Sequence, residues 1–350
     1  MIIPILLLVS LGIVVIYTSN PVLAIQQLTY ALVGTVCYFA ISNFDFNIIK
    51  SFNKIFYFIL LFLLLVVFIL GIETRGSLRW IPLGPFNLQP SEFAKIALIL
   101  ALSSFWSNNL PSWKNIAKSF LILVPFAVLI FRQPDLGTTL TLVFSYLIIL
   151  IFANISLIKI FIISLFSLIS LPLGWFFLKD YQKQRIVSFF FPTQDPLGVG
   201  YNVIQSTIAV GSGQILGRGL GRGTQSRLQF LPEFRTDFIF AFIAEELGLF
   251  GSLIILCLYL VIFYLCARIL FRAKDLFGQL LIVGVMGMLF FQILVNIGMN
   301  TGLLPITGIT LPLLSYGGSS MLTVFISLGL VESVRKYGLK RQSITAFGYV

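Results

Sequence analysis

No histidine occurs anywhere in the 350 residues. That excludes a Ser-His-Asp or Cys-His device and histidine-ligated zinc, so a general base has to be a carboxylate or, less readily, Lys, Tyr or Cys. Cysteine is scarce as well. Cys37, Cys257 and Cys266 all lie within apolar segments, where they read as small membrane-embedded hydrophobes and not as a disulfide framework or metal set. Charge is the third shortage: Asp, Glu, Lys and Arg make up 10% of the chain, against about 25% in a soluble domain. No stretch is polar enough to form a soluble domain. Acidic residues are the rarer sign, 12 against 23 basic, giving a net charge of +11. That balance suits anionic lipid headgroups or an anionic substrate. The basic residues are scattered through short loops, with no basic domain to collect them, so nucleic acid is excluded as a partner.

What the chain has is apolar length. It is 58% hydrophobic, and runs of about 17–25 apolar residues recur from end to end, the pattern of an all-α polytopic membrane protein. About ten transmembrane helices are predicted, near 2–18, 22–42, 53–72, 91–106, 116–132, 136–153, 157–178, 239–267, 277–300 and 316–334, in a single membrane domain over 1–350. The eighth is long enough to project beyond the bilayer. Residues 2–17 are apolar but lack a basic flank and an A-x-A-like site, so no removable signal peptide is expected. One alternate set of loops carries Lys50, Lys54, Lys114, Lys118, Lys159, Arg268, Arg272 and Lys274, with Arg335, Lys336, Lys340 and Arg341 in the tail. These short basic loops read as cytoplasmic, which puts both termini inside the cell. The longest loop, about 179–238, then faces outward, and its stretch GYNVIQSTIAVGSG suits a short interfacial helix. Most acidic residues fall at the same outer side: Glu73, Glu92, Asp135, Asp180, Asp195, Glu233 and Asp237, with Glu245 and Glu246 just below.

Four junctions carry chemistry. In GSLRWIPLGPFNLQPSEFAK, Ser91 is a plausible helix N-cap, while Glu92 and Lys95 are three apart on one face and can pair. A charge at mid-membrane depth costs about 2.5–3.5 kcal/mol on insertion scales, so the pair faces a cavity or the bundle interior, as a site or as structure. In RQPDLGT, Asp135 either caps the sixth span or joins a site with Arg132. GQILGRGLGRG lacks the strand, the spacing and the G-K-[ST] of a nucleotide loop. Its Arg218 and Arg222 could meet a lipid phosphate or belong to a flexible basic hairpin. In PEFRTDFIFAFIAEELG, Thr236 or Asp237 can cap the eighth span, yet the density of charge there exceeds what a cap needs. Intramembrane carboxylates such as Glu245 and Glu246 are functional candidates by default.

These stretches, with QPDLGTTL and NIGMNTGLLPITGITLPLLSYGGSS, resemble the SEDS family (shape, elongation, division and sporulation), which includes RodA, FtsW and SpoVE. The resemblance covers nearly the whole chain and is strongest to the RodA branch, through GYNVIQSTIAVGSG and TGLLPITGITLPLLSYGG. It implies a peptidoglycan glycosyltransferase of the bacterial plasma membrane that polymerises lipid II, working with a class B penicillin-binding protein. The family's catalytic aspartate falls on Asp237, and its Q-P-S-E-x-x-K motif places Glu92 and Lys95 in an outer cavity. The chain departs from the family at Arg235, where histidine commonly precedes T-D-F, and it begins almost directly in the first span.

That chemistry asks for few parts. A carboxylate at the outer interface takes the proton of an attacking sugar 4-hydroxyl, and displacement at C1 inverts the anomeric centre. The departing lipid diphosphate needs positive charge, for which Arg79, Lys95, Arg218, Arg222 and Arg235 are unranked candidates. A divalent cation, Mg or Mn, could be held partly by Asp237 or Glu92; no organic cofactor is expected. The rivals are a lipid II flippase using Glu92, Lys95, Glu245 and Glu246 as a path, a division-type FtsW-like polymerase, an O-antigen-ligase-like transfer, and a structural scaffold. Spans one to three have almost no ionisable residues to line a path, and a scaffold leaves the outer carboxylates unexplained.

Overall fold

The computed structural model describes residues 1–74, 77–83, 86–176, 178–191, 199–224 and 230–345. The fold is mostly helical. In chain order the elements are α1 (Ile2–Ser19), α2 (Pro21–Ser42), α3 (Phe46–Ser51), α4 (Asn53–Leu70), β1 (Ile72–Thr74), β2 (Ser77–Leu83), β3 (Phe86–Leu88), α5 (Pro90–Ser107), α6 (Trp113–Arg132), α7 (Leu136–Phe152) and α8 (Leu157–Trp175). There follow α9 (Asp180–Phe190), α10 (Val199–Ser212), α11 (Ile239–Leu270), α12 (Leu276–Asn300) and α13 (Gly318–Thr345). Ten of these overlie the ten expected spans. By length and composition α1, α2, α6, α11 and α12 can each cross a membrane, and α4 and α7 contain shorter apolar stretches. The chain is a multi-pass membrane protein.

Packing divides it into two compact units, the first made of 1–31, 164–262 and 290–317, the second of 32–163, 263–289 and 318–350. In the second unit α5 is the central helix, packed by α4, α6, α7 and α13. From Pro90 to Ser103 it is buried on nearly every side, which fits a helix whose apolar residues show no single face. In the first unit the loop expected to hold interfacial helices contains α9 and α10. Asp195, in the same loop, lies outside the described residues.

Three details differ from the sequence reading. The segment before α5 is a small antiparallel sheet in the order β1-β2-β3, not an irregular loop. Pro82 lies past the β1 ladder, where it pairs with Asn87 of β3. Second, α5 starts one residue earlier than the proposed cap: Gln89 is the N-cap position, Pro90 the first helical residue, and Ser91 lies inside the helix. Proline at that first position has no N–H to leave unsatisfied. Third, α11 is not one rod. Gly248, at φ 66° and ψ −161°, interrupts it.

Candidate active site

The acidic junctions form two separate polar centres, one in each unit. In the first, residues 231–238 run as turns into the start of α11. Glu233 adopts φ 57°, and its carbonyl accepts the N–H groups of Thr236 and Phe238 at 3.1 and 3.2 Å. The Thr236 hydroxyl donates to the Glu233 carboxylate at 2.9 Å, so Thr236 closes this turn and does not cap α11.

Three successive carbonyls of the turn then receive donors from the 290–317 stretch. The Tyr316 N–H donates to Arg235 O at 2.8 Å. The Ser315 hydroxyl donates to Thr236 O at 2.6 Å. Asn296 and Asn300 both donate their side-chain amides to Asp237 O, at 2.8 and 3.1 Å. Asn300 Oδ1 also accepts the Ala241 N–H at 3.0 Å, which caps the first turn of α11 from α12. The two asparagines sit four apart on α12 and are wholly buried. An unbonded buried amide costs about 1–3 kcal/mol, and both are engaged: Asn296 reaches Ile309 O as well, at 2.7 Å. Sequence reading passed over this pair. Its signal was present, as two amides one helical turn apart in an otherwise apolar span.

Asp237 itself is half-buried. Its Oδ2 lies 3.5 Å from where a Cβ on Gly308 would stand, and a guanidinium nitrogen of Arg185 lies 3.6 Å from that same point. Arg185, on α9, was not singled out from the sequence. Neighbouring Arg235 turns elsewhere: its Nε donates to the Ser19 hydroxyl at 2.9 Å, and its guanidinium covers the Phe234 ring at 4.4 Å. Burial pulls its pKa below the ordinary arginine value, with Glu233 acting in the opposite direction. Arg235 thus ties the turn to α1.

The glycine-rich loop after α10 is neither a loose hairpin nor an anion cradle. It splints the break in α11. Glu245 O and Glu246 O, which in an unbroken helix would accept from residues four ahead, accept instead from the N–H groups of Arg218 and Gly219, both at 2.9 Å. The displaced N–H groups of Leu249 and Phe250 donate to Gln214 O and Ile215 O, at 2.9 and 3.1 Å. The loop thus satisfies two carbonyls and two N–H groups freed by the break, which a chain crossing lipid requires. Side chains reinforce the joint: Gly221 N–H donates to Glu246 Oε1 at 2.7 Å, the Thr18 hydroxyl to the same carboxylate at 3.3 Å, and the Thr224 hydroxyl to Glu245 Oε1 at 3.3 Å. A Cβ on Gly248 would come within 2.3 Å of Gly217 N, so glycine is required there by contact as well as by φ. Arg218 and Arg222 are exposed on this splint. Arg218 donates to Ser212 O at 3.4 Å and to the Thr224 hydroxyl at 3.3 Å. Glu245 and Glu246, named from sequence as functional candidates, are buried and hold the splint.

The second unit holds the other centre. Lys95 Nζ donates to Glu92 Oε2 at 2.8 Å, with both side chains buried on α5. Asp135 caps α7: its carboxylate accepts the Thr138 N–H at 3.1 Å and the Thr138 hydroxyl at 2.9 Å. The same carboxylate accepts from Gln89 and Ser91 at 3.3 and 3.4 Å, linking the starts of α5 and α7. Arg79, on β2, donates to the carbonyls of Gln133 and Pro134, which anchors the sheet to the α6–α7 corner. The structure therefore brings Glu92 and Lys95 together and sets Arg79 and Asp135 as fasteners of the same unit. Among the described residues there is no group of three His, Cys, Asp or Glu side chains close enough to hold a metal ion, and Glu92 already faces the Lys95 ammonium. A protein-built metal cage does not fit the described residues.

The chain matches the family model described as Cell cycle protein, covering FtsW, RodA and SpoVE, over residues 1–339. It is 42% identical over 284 residues to the Peptidoglycan glycosyltransferase MrdB of Escherichia coli (strain K12), covering 80% of this chain and 77% of that protein. A solved structure described as "Structural coordination of polymerization and crosslinking by a peptidoglycan synthase complex" superposes with a TM-score of 0.83 at 30% identity, covering 96% of both chains. The crystal structure of the Rod shape determining protein RodA of Thermus thermophilus superposes with a TM-score of 0.73 at 27% identity, again over 96% of each chain. The motifs from PSEFAK to LLSYGG and the helical frame that carries them lead to one conclusion: the chain belongs to the SEDS family of FtsW, RodA and SpoVE.

Proposed function

We infer that this chain is a peptidoglycan glycosyltransferase of the RodA type, a membrane polymerase of glycan strands that serves cell shape. The single observation that carries the reading of the site is Asp237, a half-buried carboxylate whose own carbonyl is gripped by two buried asparagines. Preorganisation of this kind is what a general base needs, because a small displacement of the group costs much of the rate. In the reaction, Asp237 takes the proton from the sugar 4-hydroxyl as that oxygen attacks C1 of a lipid-linked donor. The C1–O bond to phosphate breaks, lipid diphosphate leaves with the electron pair, and the anomeric centre inverts. The lipid-linked donor is lipid II, and the transpeptidase partner is a class B penicillin-binding protein, in keeping with the synthase complex to which the fold is similar.

The basic loops support a cytoplasmic location for both termini, and so an extracytoplasmic site. Exposed Arg218 and Arg222 meet headgroup or donor phosphate, while Glu92, Lys95, Arg79 and Arg235 shape the binding surfaces from within. A Mg or Mn ion would be held chiefly by the diphosphate, with Asp237 or Glu92 as at most a single carboxylate ligand, the usual way Mg²⁺ is bound beside phosphates. The flippase reading loses support because Glu245 and Glu246 are engaged by the splint. The test is lipid II polymerisation by the purified chain. Asp237→Asn is expected to abolish glycan product while the protein melts as the parent does; near-normal polymer from that variant would sink the assignment.

A further inference from the structure

We propose that Arg185 is a further catalytic residue of this reaction, whose guanidinium binds the donor diphosphate and takes up the charge that develops as it leaves. The proposal rests on the reading of Asp237 as the base. Its starting point is an electrostatic requirement: the departing lipid diphosphate gains negative charge in the transition state and needs a preorganised cation near the reacting carbon. Of the five cations named from the sequence, four have partners of their own, and the fifth, Arg222, is exposed on the splint. Arg79 donates to two backbone carbonyls, Lys95 to Glu92, Arg235 to Ser19, and Arg218 to Ser212 and Thr224.

Arg185 is the cation that stands with the Asp237 carboxylate around one point. Oδ2 of Asp237 and a guanidinium nitrogen of Arg185 lie 3.5 and 3.6 Å from the position of a Cβ on Gly308, which has none. Gly308 adopts φ +75°, a conformation natural to glycine, so the backbone turns there and residue 308 adds no side chain where the two groups approach. The geometry is held. Asn296 bonds both Asp237 O and Ile309 O, which fixes the residue beside Gly308 relative to the base. The Arg185 guanidinium lies 5.7 Å from the Tyr181 ring on its own helix, which braces the arm by a cation–π contact. Arg185 is half-buried, and partial exclusion of water strengthens its interaction with phosphate. A planar guanidinium can bind two phosphate oxygens at once, which an ammonium cannot.

The step balances without a further reactant. The acceptor O–H bond breaks and its proton goes to Asp237. The acceptor oxygen bonds C1, the C1–O phosphate bond breaks, and the diphosphate leaves with that electron pair against Arg185.

The test uses the full purified chain in liposomes with lipid II, and a long-chain polyprenyl diphosphate as product inhibitor. Arg185→Ala is expected to lower kcat on the order of 10²–10³-fold, the scale for removing one transition-state donor, and to weaken inhibition by polyprenyl diphosphate roughly tenfold or more. Arg185→Lys is expected to restore part of both, because it keeps the charge and loses the fork. Unchanged kcat and inhibition in Arg185→Ala overturn the proposal. So does an equal loss of turnover in Ala and Lys variants with inhibition unchanged, the signature of a structural role. If Arg185→Ala does not fold, Arg185→Gln keeps much of the arm's length; a loss of both turnover and inhibition supports the proposal, and parental values of both overturn it. Asp237→Asn is measured alongside. An active Asp237→Asn overturns the base assignment itself, whereas an inactive one beside a parental Arg185→Ala overturns only the role of Arg185.

Discussion

The two polar centres are built on opposite plans. Around Glu92 in the second unit, charges satisfy each other: Lys95 lies on Glu92 at 2.8 Å, and Asp135 gathers two hydroxyls, an amide and a backbone N–H. Around Asp237 in the first unit, the groups that grip the backbone are neutral. Two asparagines, a serine and a peptide N–H act on consecutive backbone carbonyls. The first plan makes stable joints, in which removing either partner leaves a buried charge. The second holds the residue that bears the carboxylate by its peptide group.

The largest expected effect tests the second plan. Asp237→Asn should reduce polymerisation by about 10²–10⁴-fold, the usual contribution of a general base, with melting temperature unchanged. A large drop in melting temperature would place Asp237 in the same class as Glu92. The reverse is expected for Lys95→Ala, which leaves Glu92 buried without its partner and should destabilise the protein by about 3–5 kcal/mol. The double replacement Glu92→Leu with Lys95→Met should recover most of that stability in a thermal melt, because apolar residues of similar volume can replace a buried pair. Asn300→Leu falls between the two. It removes the α11 cap and one grip on Asp237, costing about 1–3 kcal/mol, and turnover should fall further than the melt implies. Equal effects of Asn300→Leu on melting and on turnover would reduce the asparagines to a plain helix joint. The smallest effect is expected at Arg222, exposed on the splint. Arg222→Ala should raise KM about two- to fivefold, and less at high salt, with kcat and melting unchanged.

Legibility differed by kind of feature. The ten helices were readable because each is a predominantly apolar run whose signal needs no partner. The Glu92–Lys95 pair was readable because helical spacing of three places both on one face. The cap of α5 was misread by two residues, since Ser91 looks like a cap and only the fold shows its hydroxyl directed at Asp135. The sheet over 72–88 was missed because short strands interrupted by glycine and proline carry the same letters as a loop. The splint was missed for another reason. GQILGRGLGRG and the break at Gly248 are separated by about one helix and one turn region of chain, and nothing local says that one satisfies the other.

The sequence alone determined that this is a multi-pass membrane protein, that histidine cannot serve as a base in it, and that Asp237 stands at the head of a span. These follow from composition and periodicity, which are properties of neighbours along the chain. Tertiary structure alone decided that Asn296 and Asn300 hold the Asp237 carbonyl, that the glycine loop completes α11, and that Arg185 and Asp237 both approach Gly308. Each joins groups tens of residues apart. A buried polar group has to find a partner, but which partner it finds depends on which segments the packed core brings together.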